Sequence, residues 1–280
     1  MTIDQQMNNE EILIKSLAEG ILTLTMNTPR RLNGWTLPMM DALKASFYSA
    51  NLDEEVKVVI LTGVGHYYCA GVNLGSTLKL GHPQKIRAQI IAHNQALFDA
   101  FITLSKPIII AINGHAIGAS VTSATLCDAI ISVKQATFST PFAALGITPE
   151  GCSSVMFTRL MGEEVAQRIL GDEGWKPTAE EADEISLINK VVDEDSLTKA
   201  SRKLAQEWIS HERGRQYRGE LSKEELLEIN AKESIELADA FLSSPFIKAQ
   251  FSFLFKKKKY VPACLFAFML ISRPLWARLL

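Results

Sequence analysis

The sequence predicts an α/β protein with a parallel β-sheet, followed by a helical C-terminal region. The run at residues 106–114 is apolar without alternation, which is typical of a strand buried on both faces in the middle of a sheet. A strand-like run at 21–26, a helical apolar spacing at 39–47 and a second strand at 56–63 form a strand–helix–strand unit, which favours parallel strands with a right-handed crossover. From 197 to 255 the pattern becomes helical and richer in charge.

The remaining elements follow from local patterns. Short apolar runs at 12–14 and 21–26 flank the turn residues Glu19 and Gly20, which predicts a β-hairpin. A long helix is predicted from about Pro83 to Leu104. Another helix is predicted to begin near Gly118, where small residues replace the strand pattern. The α/β part is completed by two short strands at 129–133 and 136–139, a loop at 146–151 and a helix at 153–161.

We divide the chain into an α/β core at 1–195, a helical region at 196–255 and a basic and apolar tail at 256–280. The tail begins with four consecutive lysines and continues into an apolar run. A helix packed on its own domain is favoured for it over contact with a membrane surface or a partner chain. The longest apolar run, 261–271, is far below the roughly 20 residues of a membrane-spanning helix, so no integral membrane span is expected.

Composition and charge exclude some classes of function. The 280 residues carry 29 Lys and Arg against 31 Asp and Glu, a formal net charge of −2, and 47% are hydrophobic. Without a net basic field, no nucleic-acid partner is expected. Four widely spaced cysteines without a Cys-x-x-Cys pair, and a polar, acidic N-terminal segment that lacks an export signal, indicate an intracellular protein in a reducing compartment.

Two loops that contain glycine, at 69–74 and 113–119, each follow a predicted strand. Glycine allows a ligand to approach the backbone closely. If the loops lie side by side, the N–H groups of Val72 and Ala119 could point at one developing negative oxygen, as in an oxyanion hole. Taken alone, either loop is more simply explained by turns and close helix–sheet packing, and neither has the spacing of a dinucleotide or phosphate loop.

Five motifs occur in a fixed order along residues 30–151. They are Arg30-Arg31-Leu32-Asn33-Gly34, the segment 68–74, the segment from Lys106-Pro107 to Gly118, Cys127-Asp128, and the segment 145–151. Over about residues 10–195 this order resembles the crotonase, or enoyl-CoA hydratase/isomerase, superfamily. The resemblance implies a spiral of repeated ββα units with a helical C-terminal trimerisation region, homotrimers that commonly pair into hexamers, and an acyl-CoA substrate. It implies no separate cofactor, because coenzyme A is part of the substrate, and no metal.

Within that family, the acids that face the thioester determine the reaction. A hydratase carries two glutamates, and the matching positions here hold Thr122 and Phe142. Glu150, in Thr-Pro-Glu-Gly, matches the catalytic glutamate of the peroxisomal-type Δ3,Δ2-enoyl-CoA isomerases. The resemblance therefore implies an enzyme that shifts a 3-enoyl to a 2-trans-enoyl thioester of an unsaturated fatty acyl-CoA.

One carboxylate suits this reaction, because Glu150 could remove a proton from C2 and return it at C4 while the Val72 and Ala119 amides stabilise the enolate. We expect Glu150 to lie in an apolar pocket that raises its pKa. The expected walls are apolar side chains near it in sequence, Phe142, Leu145 and Ile147. Taken alone, an acid at this place is also typical of a helix N-terminus.

The other candidate substrate contacts come from the same resemblance. Around the thioester they are Ala70, Gly71, Val72, Asn73, Leu74 and Ala119. Arg30 and Arg31 match positions that approach the CoA nucleotide, whose phosphates favour cations, although both could be solvated surface residues. Lys256 to Lys259 could offer a second contact. Asn73 stands where family members often have Asp, which alters a structural hydrogen bond.

Four further polar residues are interpreted as structural or inactive. Asp128 lies in a segment with a buried pattern, and His115 has no partner at a metal spacing, so we expect both to support the backbone. Cys152 and Ser153 have no evident His–Asp pair to activate them, which disfavours nucleophilic catalysis.

The sequence leaves alternatives open for both the cellular location and the activity of the protein. The resemblance favours the peroxisome, but the ending Arg278-Leu279-Leu280 does not fit a Ser-Lys-Leu-like signal, so the cytoplasm and the mitochondrion stay open. One alternative activity is another crotonase-family reaction on a specialised acyl-CoA, such as a hydratase-like step. The other is a non-catalytic acyl-CoA-binding module, because folds can keep a pocket and lose its chemistry.

Overall fold

The structure, a computed structural model, describes residues 11–73 and 81–280. The strands are β1 (Leu13–Ala18), β2 (Ile21–Met26), β3 (Val58–Gly63), β4 (Tyr67–Cys69), β5 (Ile108–Ile112), β6 (His115–Ile117), β7 (Ala129–Val133), β8 (Phe138–Ser139) and β9 (Lys190–Val192). The helices are α1 (Leu37–Leu52), α2 (Pro83–Thr103), α3 (Ala119–Thr125), α4 (Phe142–Leu145), α5 (Ser153–Met161), α6 (Glu163–Leu170), α7 (Ala179–Glu184), α8 (Leu197–Ser210), α9 (Lys223–Phe241), α10 (Ser244–Lys256) and α11 (Tyr260–Trp276). Short 3-10 turns lie at Pro29–Arg31, Glu194–Ser196, Arg218–Glu220 and Ala277–Leu279.

The larger sheet has six strands in the order β1-β2-β3-β5-β7-β9. Strands β1 and β2 form the predicted antiparallel hairpin, with Leu17 opposite Leu22, and the other pairs are parallel. The predicted mid-sheet strand is confirmed, because β5 lies between β3 and β7 and all its residues are buried. Strand β1 extends beyond its apolar run because it is an edge strand with mostly exposed side chains.

The smaller sheet has three parallel strands in the order β4-β6-β8. Each follows a strand of the larger sheet and precedes a helix, so β3-β4-α2, β5-β6-α3 and β7-β8-α4 are three ββα repeats. This arrangement agrees with the expected spiral. Strands β4 and β6 are only three residues long, too short for a periodic signal, and the sequence did not predict them.

Helices build the C-terminal part, as predicted. Helix α8 packs against strands of the larger sheet, and α9 packs along α2. A small apolar cluster around Phe241, Phe246 and Ile247 joins α9 to α10 and α11. The two short helices α6 and α7 were not predicted, and no observation tests the proposed boundaries at 195 and 255.

The tail forms a helix, α11, that packs against α10. It is longer than the apolar run at 261–271, because the helix continues through Ser272, Arg273 and Pro274. Within the described residues, the segment Tyr260–Leu279 is one helix that is long and apolar enough to cross a membrane by length and composition alone. The absence of a membrane span therefore stays a prediction, as does the expected homotrimer or hexamer.

Candidate active site

The two glycine-containing loops lie side by side. Strands β4 and β6 pair, with Cys69 opposite Ala116, and the Ser120 hydroxyl donates a hydrogen bond of 3.1 Å to the Cys69 carbonyl oxygen. Gly71 has φ +80°, and a Cβ there would lie 2.7 Å from the Ile117 carbonyl oxygen. Glycine is thus required at Gly71 both by its backbone conformation and by the close approach of the second loop.

The two loops bring Val72 and Ala119, whose amides are the expected oxyanion donors, to the wall of one cavity. The backbone around Val72 is held by hydrogen bonds from the Trp35 N–H to the Gly71 carbonyl, 2.8 Å, and from the Asn73 N–H to the Trp35 carbonyl, 2.9 Å. Val72 and Ala119 both line the same cavity. In the part of the chain that the structure describes, neither of their N–H groups donates a hydrogen bond. Two such donors beside one cavity are able to stabilise an oxyanion.

Glu150 lies in the loop between α4 and α5 and lines the same cavity. Its side chain is buried, with 7% of the residue exposed. Burial and, second, the charge of Glu233 raise the pKa of Glu150 from its ordinary value of 4.5 to about 8. Among the described residues, none donates a hydrogen bond to its carboxylate. The group is therefore free to bind and release a proton near neutral pH.

The cavity has a volume of about 140 Å³ and mostly apolar walls. The three expected neighbours of Glu150 are all wall residues: Phe142, Leu145 and Ile147. Helices α1, α2 and α9 add further apolar side chains, Met40, Ile86, Ile90, Leu97, Leu237 and Phe241. A larger cavity of about 550 Å³ adjoins it and shares the walls Val72, Ile86, Ile90, Leu145 and Phe241. The combined space suits an apolar chain next to a polar reacting end.

The two positions at which the resemblance would place hydratase glutamates hold no acid. Thr122 is fully buried and donates a hydrogen bond of 3.2 Å to the Ala119 carbonyl oxygen. A Cβ at Gly151 would lie 2.7 Å from the Thr122 hydroxyl oxygen, which places Thr122 next to the Glu150 segment. Phe142 is an apolar wall. Among the described wall residues, Glu150 is consequently the single carboxylate.

A second buried acid, Glu233 on α9, was missed by the sequence analysis. Its carboxylate accepts hydrogen bonds from the Cys152 N–H, 2.6 Å, and the Ser154 N–H, 2.9 Å, at the start of α5. Burial raises the pKa of Glu233, and these N–H groups act in the opposite direction. Glu233 caps the helix that follows Glu150 and places a negative charge near it.

The structure places the remaining candidates at different distances from the cavity. Ala70 and Gly71 line it, whereas Asn73 lines the adjoining larger cavity. Leu74 lies outside the described residues.

The two arginines are exposed in the turn Pro29–Arg31 and are not wall residues of the described cavity. Their turn contacts the first loop, because the Ala70 N–H donates a hydrogen bond of 3.0 Å to the Leu32 carbonyl oxygen.

Two polar residues support the fold as expected. The buried Asp128 forms an ion pair with Arg215 and accepts hydrogen bonds from the backbone N–H groups of Ile108 and Gln216. His115 bonds through Nδ1 to the Thr137 hydroxyl at 2.8 Å. Within residues 11–73 and 81–280, no group of His, Cys, Asp and Glu side chains could hold a metal ion.

The ββα spiral, with two adjoining glycine-containing loops over a buried carboxylate, defines a protein of the crotonase fold. The model of the enoyl-CoA hydratase/isomerase family matches residues 16–250, and the chain belongs to this family.

Individual relatives differ in their named activities. The chain is 31% identical to mouse "Enoyl-CoA delta isomerase 3, peroxisomal" over 90% of its own length and 80% of the relative. It is 32% identical to Arabidopsis thaliana "Probable enoyl-CoA hydratase 1, peroxisomal" over 76% and 78% of the two chains. The crystal structure of an enoyl-CoA hydratase/isomerase from Pseudoalteromonas atlantica T6c has a TM-score of 0.74 and 26% identity, and covers 88% of this chain and 98% of its own.

Proposed function

We propose that the protein is a Δ3,Δ2-enoyl-CoA isomerase that acts on unsaturated fatty acyl-CoA. The observation that carries the proposal is Glu150, which is the single carboxylate among the described wall residues of the cavity that Val72 and Ala119 also line. The raised pKa of this side chain suits a group that takes up and releases a proton. Similarity to a mouse enoyl-CoA delta isomerase supports the same activity.

The proposed reaction needs one base and one oxyanion site. The thioester carbonyl oxygen accepts hydrogen bonds from the Val72 and Ala119 N–H groups. Ionised Glu150 removes a proton from C2, and the electron pair of that C–H bond forms the enolate with its charge on the thioester oxygen. The enolate then collapses, the double bond moves to C2–C3, and Glu150 returns the proton at C4. The proton balance is closed, because the acid ends the cycle ionised.

The walls of the site support an acyl substrate. Apolar side chains from α2 and α9 face the space next to Glu150, and the adjoining larger cavity extends that space beneath α10 and α11. We assign the acyl chain to this apolar space. The exposed Arg30 and Arg31 carry positive charge beside the first loop, and we assign them to the phosphates of the CoA nucleotide.

A hydratase is the second candidate, because the Arabidopsis relative bears that name. Hydration adds water across the double bond, work that the family assigns to two glutamates. Glu233 does not supply the second acid in this structure, because its oxygens accept hydrogen bonds from the Cys152 and Ser154 N–H groups. The wall composition therefore favours isomerisation.

The test is to mix purified protein with 3-enoyl-CoA and, separately, with 2-trans-enoyl-CoA of several chain lengths. We expect the 3-enoyl ester to form the conjugated 2-enoyl thioester, which absorbs in the ultraviolet, and the 2-enoyl ester to resist hydration. Loss of the conjugated absorbance from the 2-enoyl ester would make the protein a hydratase. Binding of both esters without turnover, measured by calorimetry, would make it an acyl-CoA-binding module.

The proposal includes a peroxisomal location and assembly into a homotrimer or hexamer. Two relatives have names that include the word peroxisomal, which supports peroxisomal residence. A fluorescent fusion that leaves both ends of the chain accessible in separate experiments tests the location. Light scattering of the purified protein tests the homotrimer or hexamer.

A further inference from the structure

Charge is distributed unevenly along the chain. Of the 29 Lys and Arg residues, seven lie in 241–280, and this segment holds none of the 31 Asp and Glu. The last 40 residues therefore carry a formal charge of +7. The first 240 carry 22 basic against 31 acidic side chains, a formal charge of −9. A segment of this charge is attracted to negatively charged surfaces.

Helix α11 has an exposed apolar stripe. Val261, Cys264, Phe268, Ile271 and Leu275 follow one another at spacings of three and four residues, which places them on one face of the helix. Val261 is 86% exposed, Ile271 79%, Leu275 74% and Phe268 67%. Large contiguous apolar surfaces of this kind are uncommon on soluble monomers and mark sites of interaction.

The basic residues lie at one end of this stripe. Lys256 to Lys259 span the turn between α10 and α11, and all four are exposed. The aromatic side chains Phe253, Phe255 and Tyr260 surround the turn and are each more than half exposed. Lysines beside exposed aromatic and aliphatic residues are typical of segments that bind at a membrane–water interface. There the lysines contact the lipid headgroups, and the aromatic rings enter the boundary between headgroups and acyl chains.

The opposite face of α11 is fixed to the protein. Ala263 is buried, and Phe266 and Met269 pack against the cluster of Phe241 and Phe246. The Arg273 guanidinium donates a hydrogen bond of 3.1 Å to the Leu242 carbonyl oxygen on the same side. A helix held along its length in this way can lie on a bilayer, whereas insertion across it would break these contacts.

We propose that the outer face of α11, together with Lys256 to Lys259, docks the protein on the surface of a bilayer that contains anionic phospholipid. Charge complementarity distinguishes this partner from a second copy of the chain. A parallel two-fold pairing of α11 would bring the two lysine turns together and an antiparallel one would place them at opposite ends, and in neither does 241–280 offer them an acidic residue. An anionic surface attracts each lysine, by about fivefold in binding constant for each one near the membrane.

The experiment is co-sedimentation of the full chain with vesicles of phosphatidylcholine alone or with 30% phosphatidylserine. We expect binding to the phosphatidylserine vesicles only, and at least tenfold weaker binding at high salt, because the charge attraction is screened. Replacement of Lys256, Lys257, Lys258 and Lys259 by Gln should weaken binding by about 10²-fold or more. A matched control replaces four exposed lysines elsewhere, Lys15, Lys199, Lys203 and Lys223, and should bind as the wild type does.

A second variant tests the apolar stripe. Serine at Phe268, Ile271 and Leu275 should reduce vesicle binding at least tenfold without lowering the thermal midpoint, because these side chains are exposed. Absence of binding to phosphatidylserine vesicles would overturn the proposal. If light scattering then gave a lower mass for the serine variant than for the wild type, the stripe would be an interface between copies.

Discussion

Two buried carboxylates, those of Glu150 and Glu233, lie near the start of α5, and they differ in the hydrogen bonds that their oxygens accept. Glu150 faces the cavity with 7% of the residue exposed, and no described residue donates a hydrogen bond to its side chain. Glu233 is 2% exposed and accepts two backbone hydrogen bonds. Burial alone therefore does not separate an acid that moves protons from one that supports a helix. The hydrogen-bond partners of the carboxylate oxygens distinguish the two acids.

The two acids also act on one another. Glu233 fixes the backbone of Cys152 and Ser154, which follow Glu150 closely in the chain. Its negative charge adds to burial in raising the pKa of Glu150. Glu233 is on this account a positioning residue, which holds the segment of Glu150 and tunes its proton affinity without contact with the substrate.

The largest expected effect comes from Glu150→Gln. The amide keeps the shape of the side chain but cannot accept the C2 proton, so turnover of 3-enoyl-CoA should fall by about 10²- to 10⁴-fold. The measurement is the rate of formation of the conjugated thioester. Glu228→Gln, at an exposed acid of α9, is the matched control and should keep full activity. Unreduced turnover of Glu150→Gln, with normal folding by circular dichroism, would remove Glu150 from the mechanism.

A second prediction tests the assigned oxyanion site without changing either acid. In Gly71→Ala, the new Cβ would lie 2.7 Å from the Ile117 carbonyl oxygen, so the loops must separate and the Val72 N–H must move. Misplacing one oxyanion donor should lower kcat by about 10²-fold. Gly162→Ala shares the positive φ but has no atom within 4 Å of the new Cβ, which makes it a control for backbone strain alone. Equal kcat values for the two variants would contradict the assigned oxyanion site.

Glu233→Gln should have a smaller effect, mainly on stability. The amide oxygen can replace only part of the acceptor capacity of the carboxylate, so one N–H at the start of α5 is left without its bond. We expect the free energy of unfolding to fall by about 1–3 kcal/mol, measured by urea denaturation. A loss of activity as large as that of Glu150→Gln in the folded variant would mean that Glu233 takes part in the chemistry.

A further prediction concerns the dependence of stability on pH. Because the folded pKa of Glu150 is about 8 and its ordinary value is 4.5, the folded state binds more protons than the unfolded state between these values. The free energy of unfolding contributed by Glu150 should therefore fall as pH rises from about 4.5 through about 8. Denaturation of Glu150→Gln across this range should show a weaker decline than the wild type. Parallel curves would place the pKa of Glu150 near its ordinary value.

The sequence predicts much of the cavity with Glu150 and little of the surroundings of Glu233. The two loops and Glu150 lie in short motifs whose order can be recognised in the sequence. Buried strands such as 108–112 are indicated by unbroken apolar runs. Glu233 is 83 positions from Glu150, and only the packing of α9 brings it to α5. One signal was available, because Glu233 stands between Asn230 and Leu237 on the buried face of its helix, where an unpaired acid is costly.

In the tail, too, some features are visible in the sequence and others depend on tertiary packing. Its apolar residues and lysines are visible in the sequence, and a helix packed on its own domain is what the structure has. Which apolar residues face outward depends on where α10 lies, since the spacing alone gives two possible faces. The packing of Ala263 inward and Phe268 outward is a tertiary result.

The most direct test of the relation between the two acids is kcat/KM for 3-enoyl-CoA from pH 5.5 to 9.5, in the wild type and in Glu233→Gln. Glu150 must be ionised to act as a base, so kcat/KM of the wild type should rise with pH and level off above about 8. Removing the charge of Glu233 should move this rise to lower pH, while burial keeps it above the ordinary range of a glutamate. A wild-type profile that is flat from pH 6 to 9, or an inflection that does not move in Glu233→Gln, would contradict the account.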